Sequence, residues 1–354
     1  MYIYFVCYFF IIIFGFWVKS HTYDLKSKEI AYGGLVATLL IFVSGMRDIS
    51  IGADTWNYVE NFEIVIPKYS WSVLAQNFVS SFVDNSYENR DVGYYFFAKT
   101  IQLFTDDGRV YLLLIAVLIM IPIVWWIIKY SKNQCMSYIS FLCIFFSFMG
   151  LTGIRQALAL VLVSVFGYKY IRERKFWSFL VLVVLAVTLH KTAIIILPLY
   201  FVANIHLTKL YRFLAIVAIA ICFAGKNILQ MILNRVGGYD YQQYEGAGTY
   251  LFSMFVLLIL VWSLYNYEKL VNQNHNNVHY INAIIVGSFM LPLSYINPTM
   301  LRLTYYYYFF LILLIPELVT TFKEKRVVKL AIYMALAIMM TRNVPEYLFF
   351  WEVR

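Results

Sequence analysis

The stretch VYLLLIAVLIMIPIVWWIIK, Val110 to Lys129, decides how this chain is built. It runs without a charged side chain until its closing lysine. At about 1.5 Å per residue, a helix of about 20 residues matches the ~30 Å hydrocarbon core of a bilayer.

Composition extends that reading to the rest of the chain. Of the 354 residues, 62% are hydrophobic and 13% charged, with a mean hydropathy of +0.71. An ordinary soluble domain is about half apolar and about a quarter charged, so a soluble fold of this length is excluded. Comparable segments lie near 2–18, 31–46, 136–151, 153–170, 176–190, 192–205, 210–225, 249–266, 280–297, 303–321 and 327–342. The expectation is an all-α, polytopic integral membrane protein of about twelve transmembrane helices, a single membrane domain over 1–354. The first segment lacks a basic leader region and a small-residue cleavage pattern, and reads as a retained helix.

The net charge of +9 is a statement about topology before it is one about nucleic acid. With the N-terminus outside, short connections carrying Lys19, Lys26, Lys28, Lys129, Lys132, Lys169, Arg172, Arg174 and Lys175 fall on one side. Most carboxylates fall in one large loop on the other side. The positive-inside rule makes the basic side cytoplasmic. Segments 47–109 and 226–248 are then extracytoplasmic loops, the first carrying amphipathic or re-entrant helices over Trp71–Val83 and Tyr94–Phe104.

Ionisable groups at the edge of the bilayer are costly and are functional candidates. On the outer side they are Arg47 with Asp48, Asp54 and Tyr58; Glu88, Arg90, Asp91 and Tyr94; Arg155 with Gln156; His190 with Lys191; and Arg302. Each has an ordinary reading. An arginine at a helix end can snorkel to lipid phosphate, a histidine at a helix junction can bond nearby backbone, and a loop carboxylate can simply be solvated. Three arginines on the cation-poor side nonetheless suit a phosphate or pyrophosphate, because the guanidinium fork matches phosphate bidentately. His190 is a candidate general base, because an imidazole can take up and release a proton under physiological conditions, with Asp54, Glu88 and Asp91 as competitors. His190 and Lys191 join two short segments with almost no loop between them, and Pro198 interrupts the second, a pattern that lines polar cavities. Tyr239 and its glycine-flanked neighbours offer faces on which a sugar can stack. The run Tyr305 to Tyr308 reads as an aromatic belt at headgroup level. No nucleotide-binding glycine loop and no zinc motif of the H-E-x-x-H type occurs, and the four cysteines read as small hydrophobes.

The ordered set Arg47-Asp48, Gly52-x-Asp54, Tyr58, Glu88, Gly93-Tyr94, Gly153-x-Arg155-Gln156, His190 with Pro198 downstream, and Arg302 resembles the EpsG branch of the Wzy-like polysaccharide polymerases. The resemblance runs over about 1–320. It implies a GT-C-like membrane glycosyltransferase that works without metal or other cofactor in the bacterial cytoplasmic membrane, with its site facing outward. The implied donor and acceptor are undecaprenyl-pyrophosphate-linked oligosaccharide repeat units, joined by inverting transfer with undecaprenyl pyrophosphate as leaving group into O-antigen, capsule or exopolysaccharide. A chain-length regulator and membrane lipids are the implied partners, with no nucleic acid. Within that chemistry Arg155, Arg47 and Arg302 stabilise the leaving group, and His190 activates or holds the acceptor hydroxyl. Gln156, Asp54, Tyr58, Glu88, Lys191 and Tyr239 contact substrate. The competing functions are a flippase for the same lipid-linked sugar, an O-antigen ligase and an O-acyltransferase.

Overall fold

The computed structural model describes residues 2–20, 24–80, 91–228, 231, 249–343 and 345–352. Among these, every element is helical apart from one isolated antiparallel bridge between Arg47 and Phe349. Among the described residues, five helices are long and apolar enough to cross a membrane: Tyr2–Ser20, Leu25–Gly45, Gly108–Tyr130, Ile154–Arg172 and Asn277–Tyr295. Counting each bent pair as one span raises the number to seven, with Tyr250–Tyr265 turning by 79° into Tyr267–Gln273 and Pro298–Tyr308 turning by 64° into Leu311–Val319.

Hydropathy alone suggests about twelve spans; part of the difference comes from helix breaks that a hydropathy window smooths over, while Lys209–Ala224 and Lys325–Asn343 are continuous helices that stand outside the five. Gln134–Ile144, Phe176–Leu189 and Lys191–Val202 are apolar but short. A helix of 11 residues is only about 17 Å long, well under the hydrocarbon thickness.

The chain divides into two compact units, residues 1–194 with 336–354, and residues 195–335. In the first, Leu25–Gly45 packs along Gly108–Tyr130. Val36, Leu40 and Val43 are buried on one helix, and Tyr111, Leu112, Ile115 and Ile119 on the other. Both helices start where a carboxylate meets free N–H groups. Asp24 Oδ2 accepts from Ser27 N at 3.1 Å, and Asp107 Oδ1 from Arg109 N at 2.7 Å. Between them the segment 47–109 contains Thr55–Glu60, Trp71–Ser80 and Val92–Ile101 as helices, so the expected apolar pair is joined by a third helix.

The second unit is built around Asn277–Met290, buried along nearly its whole length. One side chain fastens the segment that follows Leu197–Val202: Asn282 Nδ2 donates to the carbonyls of Val202, Ala203 and Ile205 at 2.8, 3.0 and 2.8 Å. Here the expected aromatic belt is overturned, because Tyr306, Tyr307 and Tyr308 are fully buried. Tyr307 donates to the Ile195 carbonyl, and Tyr308 to Ser288 Oγ at 3.3 Å. A buried phenol keeps a hydrogen-bond partner inside the protein, which is why the run packs inward.

Candidate active site

Within the first unit, three chain segments meet at Asp91. Its backbone is left-handed, with φ of 57°, a conformation that Asp and Asn tolerate better than most residues. It stands immediately before helix Val92–Ile101 and is buried. Oδ2 accepts from Arg155 Nη1 at 3.0 Å and lies 3.4 Å from His190 Nδ1, while Oδ1 accepts from the backbone N–H of Lys191 at 3.1 Å.

Burial works to raise the Asp91 pKa. The hydrogen bond and charge of His190, the charge of Arg155 and the Lys191 amide outweigh it, and hold the carboxyl below the usual carboxylate range. An ionised carboxylate only accepts, so the ring nitrogen facing it is the one that carries a proton. His190 Nε2 is then the nitrogen left to exchange a proton with a ligand.

Local sequence explains the convergence. A Cβ on Gly93 would lie 2.2 Å from Thr188 Oγ1 and 2.8 Å from the Thr188 carbonyl carbon. Only glycine lets Val92–Ile101 approach the end of Phe176–Leu189 closely enough for Asp91 to reach His190. His190 itself is extended and ends that helix, and the chain continues at once as the tight turn Lys191–Ile196. On the third side, Gly52 has φ of 91°, and a Cβ there would meet the Leu151 carbonyl oxygen at 2.0 Å. Thr55 Oγ1 donates to that same carbonyl at 2.8 Å, and Ser44 Oγ to the Gly150 carbonyl at 2.5 Å. The turn before Thr55–Glu60 thus grips the loop that presents Arg155.

The guanidinium of Arg155 also stands over two phenol rings, 5.6 Å from the centroid of Tyr58 and 5.8 Å from that of Tyr94, close enough for cation–π attraction. Tyr94 is hydrogen-bonded through its hydroxyl to Tyr111, which stacks on Phe62 at 4.3 Å. The exposure of the three ionic side chains is graded: 9% for Asp91, 27% for His190 and 34% for Arg155. The acid is the buried anchor, and the two basic groups are the ones a ligand can touch.

The other expected residues fall in different places. Gln156 is buried beside Arg155. Asp54 precedes helix Thr55–Glu60 without capping it through its side chain, and its carbonyl accepts from Tyr58 N at 3.1 Å. Lys191 joins the cluster through its backbone amide. Arg47 is 3% exposed. One nitrogen of its fork donates to the Ser44 carbonyl, and among the described residues Nε and Nη2 have no hydrogen-bond partner. Burial lowers its pKa to about 10, against the opposing influence of Tyr347, Tyr111 and Tyr4. The C-terminal segment lies over it, with Asp48 N donating to the Leu348 carbonyl at 2.9 Å and Tyr347 Oη to the Val43 carbonyl at 2.6 Å. Arg302 lies in the first turn of Leu301–Tyr308, in the second unit. Glu88, Arg90 and Tyr239 lie outside the described residues, as does most of 226–248.

In the sequence Asp91 is one loop carboxylate among several, yet it is the hub of the cluster. The signal was its place two residues before Gly93, where a close approach of backbones is possible. Among the described residues, no three His, Cys, Asp or Glu side chains converge on a point where a metal ion could sit.

A model of the EpsG family matches residues 30–350. No curated protein and no solved structure matches the chain.

Proposed function

Because the chain belongs to the EpsG family, we propose that it is a membrane glycosyltransferase that polymerises lipid-pyrophosphate-linked oligosaccharide repeat units. The observation that carries this reading is the convergence of Arg155 and His190 on one buried carboxylate, with both basic groups left accessible.

In this reading a hydroxyl oxygen of one unit attacks the anomeric carbon of the other, and the bond from that carbon to the pyrophosphate oxygen breaks. The electron pair leaves with the pyrophosphate, where the charge that develops is met by the Arg155 fork, held in advance by Asp91 and the two tyrosines. The hydroxyl proton passes to His190 Nε2, the nitrogen that Asp91 leaves free. A single displacement of this kind inverts the anomeric configuration. Tyr58 aligns the guanidinium, and Lys191 fixes Asp91 through its amide. Arg47, buried under the C-terminal segment, acts as a positioning residue for the end of Leu25–Gly45.

The shorter and bent helices then complete a membrane domain of about twelve spans with a GT-C-like arrangement. The basic short connections support a cytoplasmic-membrane location with the cluster facing outward. The carrier in this reading is undecaprenyl pyrophosphate, and the product a surface polysaccharide.

Cells carrying Arg155→Ala or His190→Ala are expected to accumulate single lipid-linked repeat units and to lose long polymer, with the protein inserted at its normal level. Full-length polymer from both variants contradicts the assignment.

A further inference from the structure

Beside the Asp91 cluster, an open groove of about 450 Å³ is lined by Phe78, Phe96, Leu162, Leu185, Thr188 and Leu189, and by the backbone at Gly93. Its size falls in the range of small-molecule sites, about 300–1,000 Å³. Among the described residues the lining holds no charged side chain, and the hydroxyl it does hold, Thr188 Oγ1, is already given to the Leu185 carbonyl at 2.7 Å. The walls come from the same elements that build the polar cluster. Gly93 is two residues from Asp91, and Thr188 and Leu189 run straight into His190. Leu162 sits in the widened helical turn Val161–Phe166, a local irregularity of a type that recurs at functional sites.

A charged recess that opens onto an apolar groove is the complement of an amphiphile with an ionic head and a hydrocarbon tail. The polymerase reading, on which this inference rests, puts the scissile carbon–oxygen bond between Arg155 and His190. The carrier's pyrophosphate is then at the cluster, and its first isoprene units must leave across whatever surface adjoins it. We propose that the groove of Phe78, Phe96, Leu162, Leu185 and Leu189 binds the pyrophosphate-proximal isoprenoid of the lipid carrier. Leu185, half exposed, and Leu162, which lines the same groove, set how that segment lies.

The test uses the full-length protein in lipid nanodiscs and a short polyprenyl pyrophosphate bearing a diazirine on its second isoprene unit. Labelling is expected on peptides containing Phe96, Leu162 or Leu185, and it is expected to be competed by undecaprenyl pyrophosphate but not by added phospholipid. Labelling elsewhere, or equal competition by phospholipid, which would make the groove an ordinary lipid-contact surface, overturns the proposal. A kinetic arm separates this failure from failure of the polymerase reading. Leu185→Trp, at a half-exposed position rather than in a packed core, is expected to raise KM for an undecaprenyl-linked donor about tenfold while leaving kcat, and the KM of a donor whose pyrophosphate bears a short alkyl group without any isoprene unit, within about twofold. An unchanged KM for the long donor in an active enzyme sinks the groove assignment alone. Absence of polymer from the wild-type protein with either donor sinks the polymerase reading instead.

Discussion

His190 Nδ1 lies 3.4 Å from Asp91 Oδ2, the same oxygen that accepts from Arg155 at 3.0 Å. One buried carboxylate thereby orients a base and a cation that come from different helices. Asp91→Asn keeps the shape but removes the charge, so both partners lose their anchor. The expected loss in turnover is about 100-fold, and because the residues act as a unit, Asp91→Asn combined with His190→Gln is expected to be little worse than the poorer single variant. Losses that multiply argue against a shared unit.

The pH dependence of stability has a definite sign. The Asp91 carboxyl is held below its usual value in the folded protein, so its contribution is present above the unfolded pKa of about 3.9 and disappears as pH falls through the lower folded value. Melting curves of the detergent-solubilised protein are expected to show a fall in Tm below about pH 4 that is smaller in Asp91→Asn.

Arg155→Lys keeps the charge but not the planar fork that reaches Asp91 and lies over Tyr58 and Tyr94. Turnover is expected to drop by about 100- to 1,000-fold, close to the loss in Arg155→Ala. Tyr58→Phe keeps the ring face and is expected to cost less than about tenfold. Activity assays on protein matched for membrane content decide this, and full activity in Arg155→Lys contradicts the role given to the fork.

Gly93→Ala is expected to separate Asp91 from His190, since the new methyl meets the Thr188 carbonyl carbon at 2.8 Å as well as its side chain. Overpacking of this kind costs about 1–3 kcal/mol. Adding Thr188→Ala removes the hydroxyl but not the backbone contact, so the double variant is expected to remain inactive. Restored polymer synthesis in the double variant shows that only the side chain mattered.

Arg47→Met tests the buried arginine. Exchanging a buried charge for an apolar side chain of similar length is often neutral or stabilising. The expected outcome is an unchanged or higher Tm with turnover within about tenfold of wild type, in contrast to Arg155→Ala. A loss as deep as that of Arg155→Ala places Arg47 on the substrate.

The helical, membrane-embedded class was legible from Val110–Lys129 and its neighbours, because apolar length is a direct consequence of bilayer thickness. The breaks were not. Nothing in the composition of 249–266 announces a bend of 79°, and in 303–321 Pro316 is the residue type that hints at a break, though not at a 64° bend between Tyr308 and Leu311. In the site, Arg155 and His190 stood out because charge is scarce where they lie. Asp91 did not, because a carboxylate in a loop is ordinary until a left-handed backbone and a glycine two residues later bring it against another helix. The burial of Tyr306–Tyr308 was hidden for a similar reason, since a phenol suits a lipid headgroup and a protein interior equally well.

In the proposed reaction Arg155 and His190, both oriented by Asp91, carry out glycosyl transfer from a lipid pyrophosphate. The most direct measurement mixes purified protein in detergent, where membrane sidedness is lost, with undecaprenyl-pyrophosphate-linked repeat units and resolves the products by length. The wild-type protein is expected to give a ladder of longer lipid-linked glycans with release of undecaprenyl pyrophosphate, and Arg155→Ala to leave single units unreacted. No chain growth by wild type across the plausible repeat units, or equal growth by Arg155→Ala, contradicts the proposed reaction.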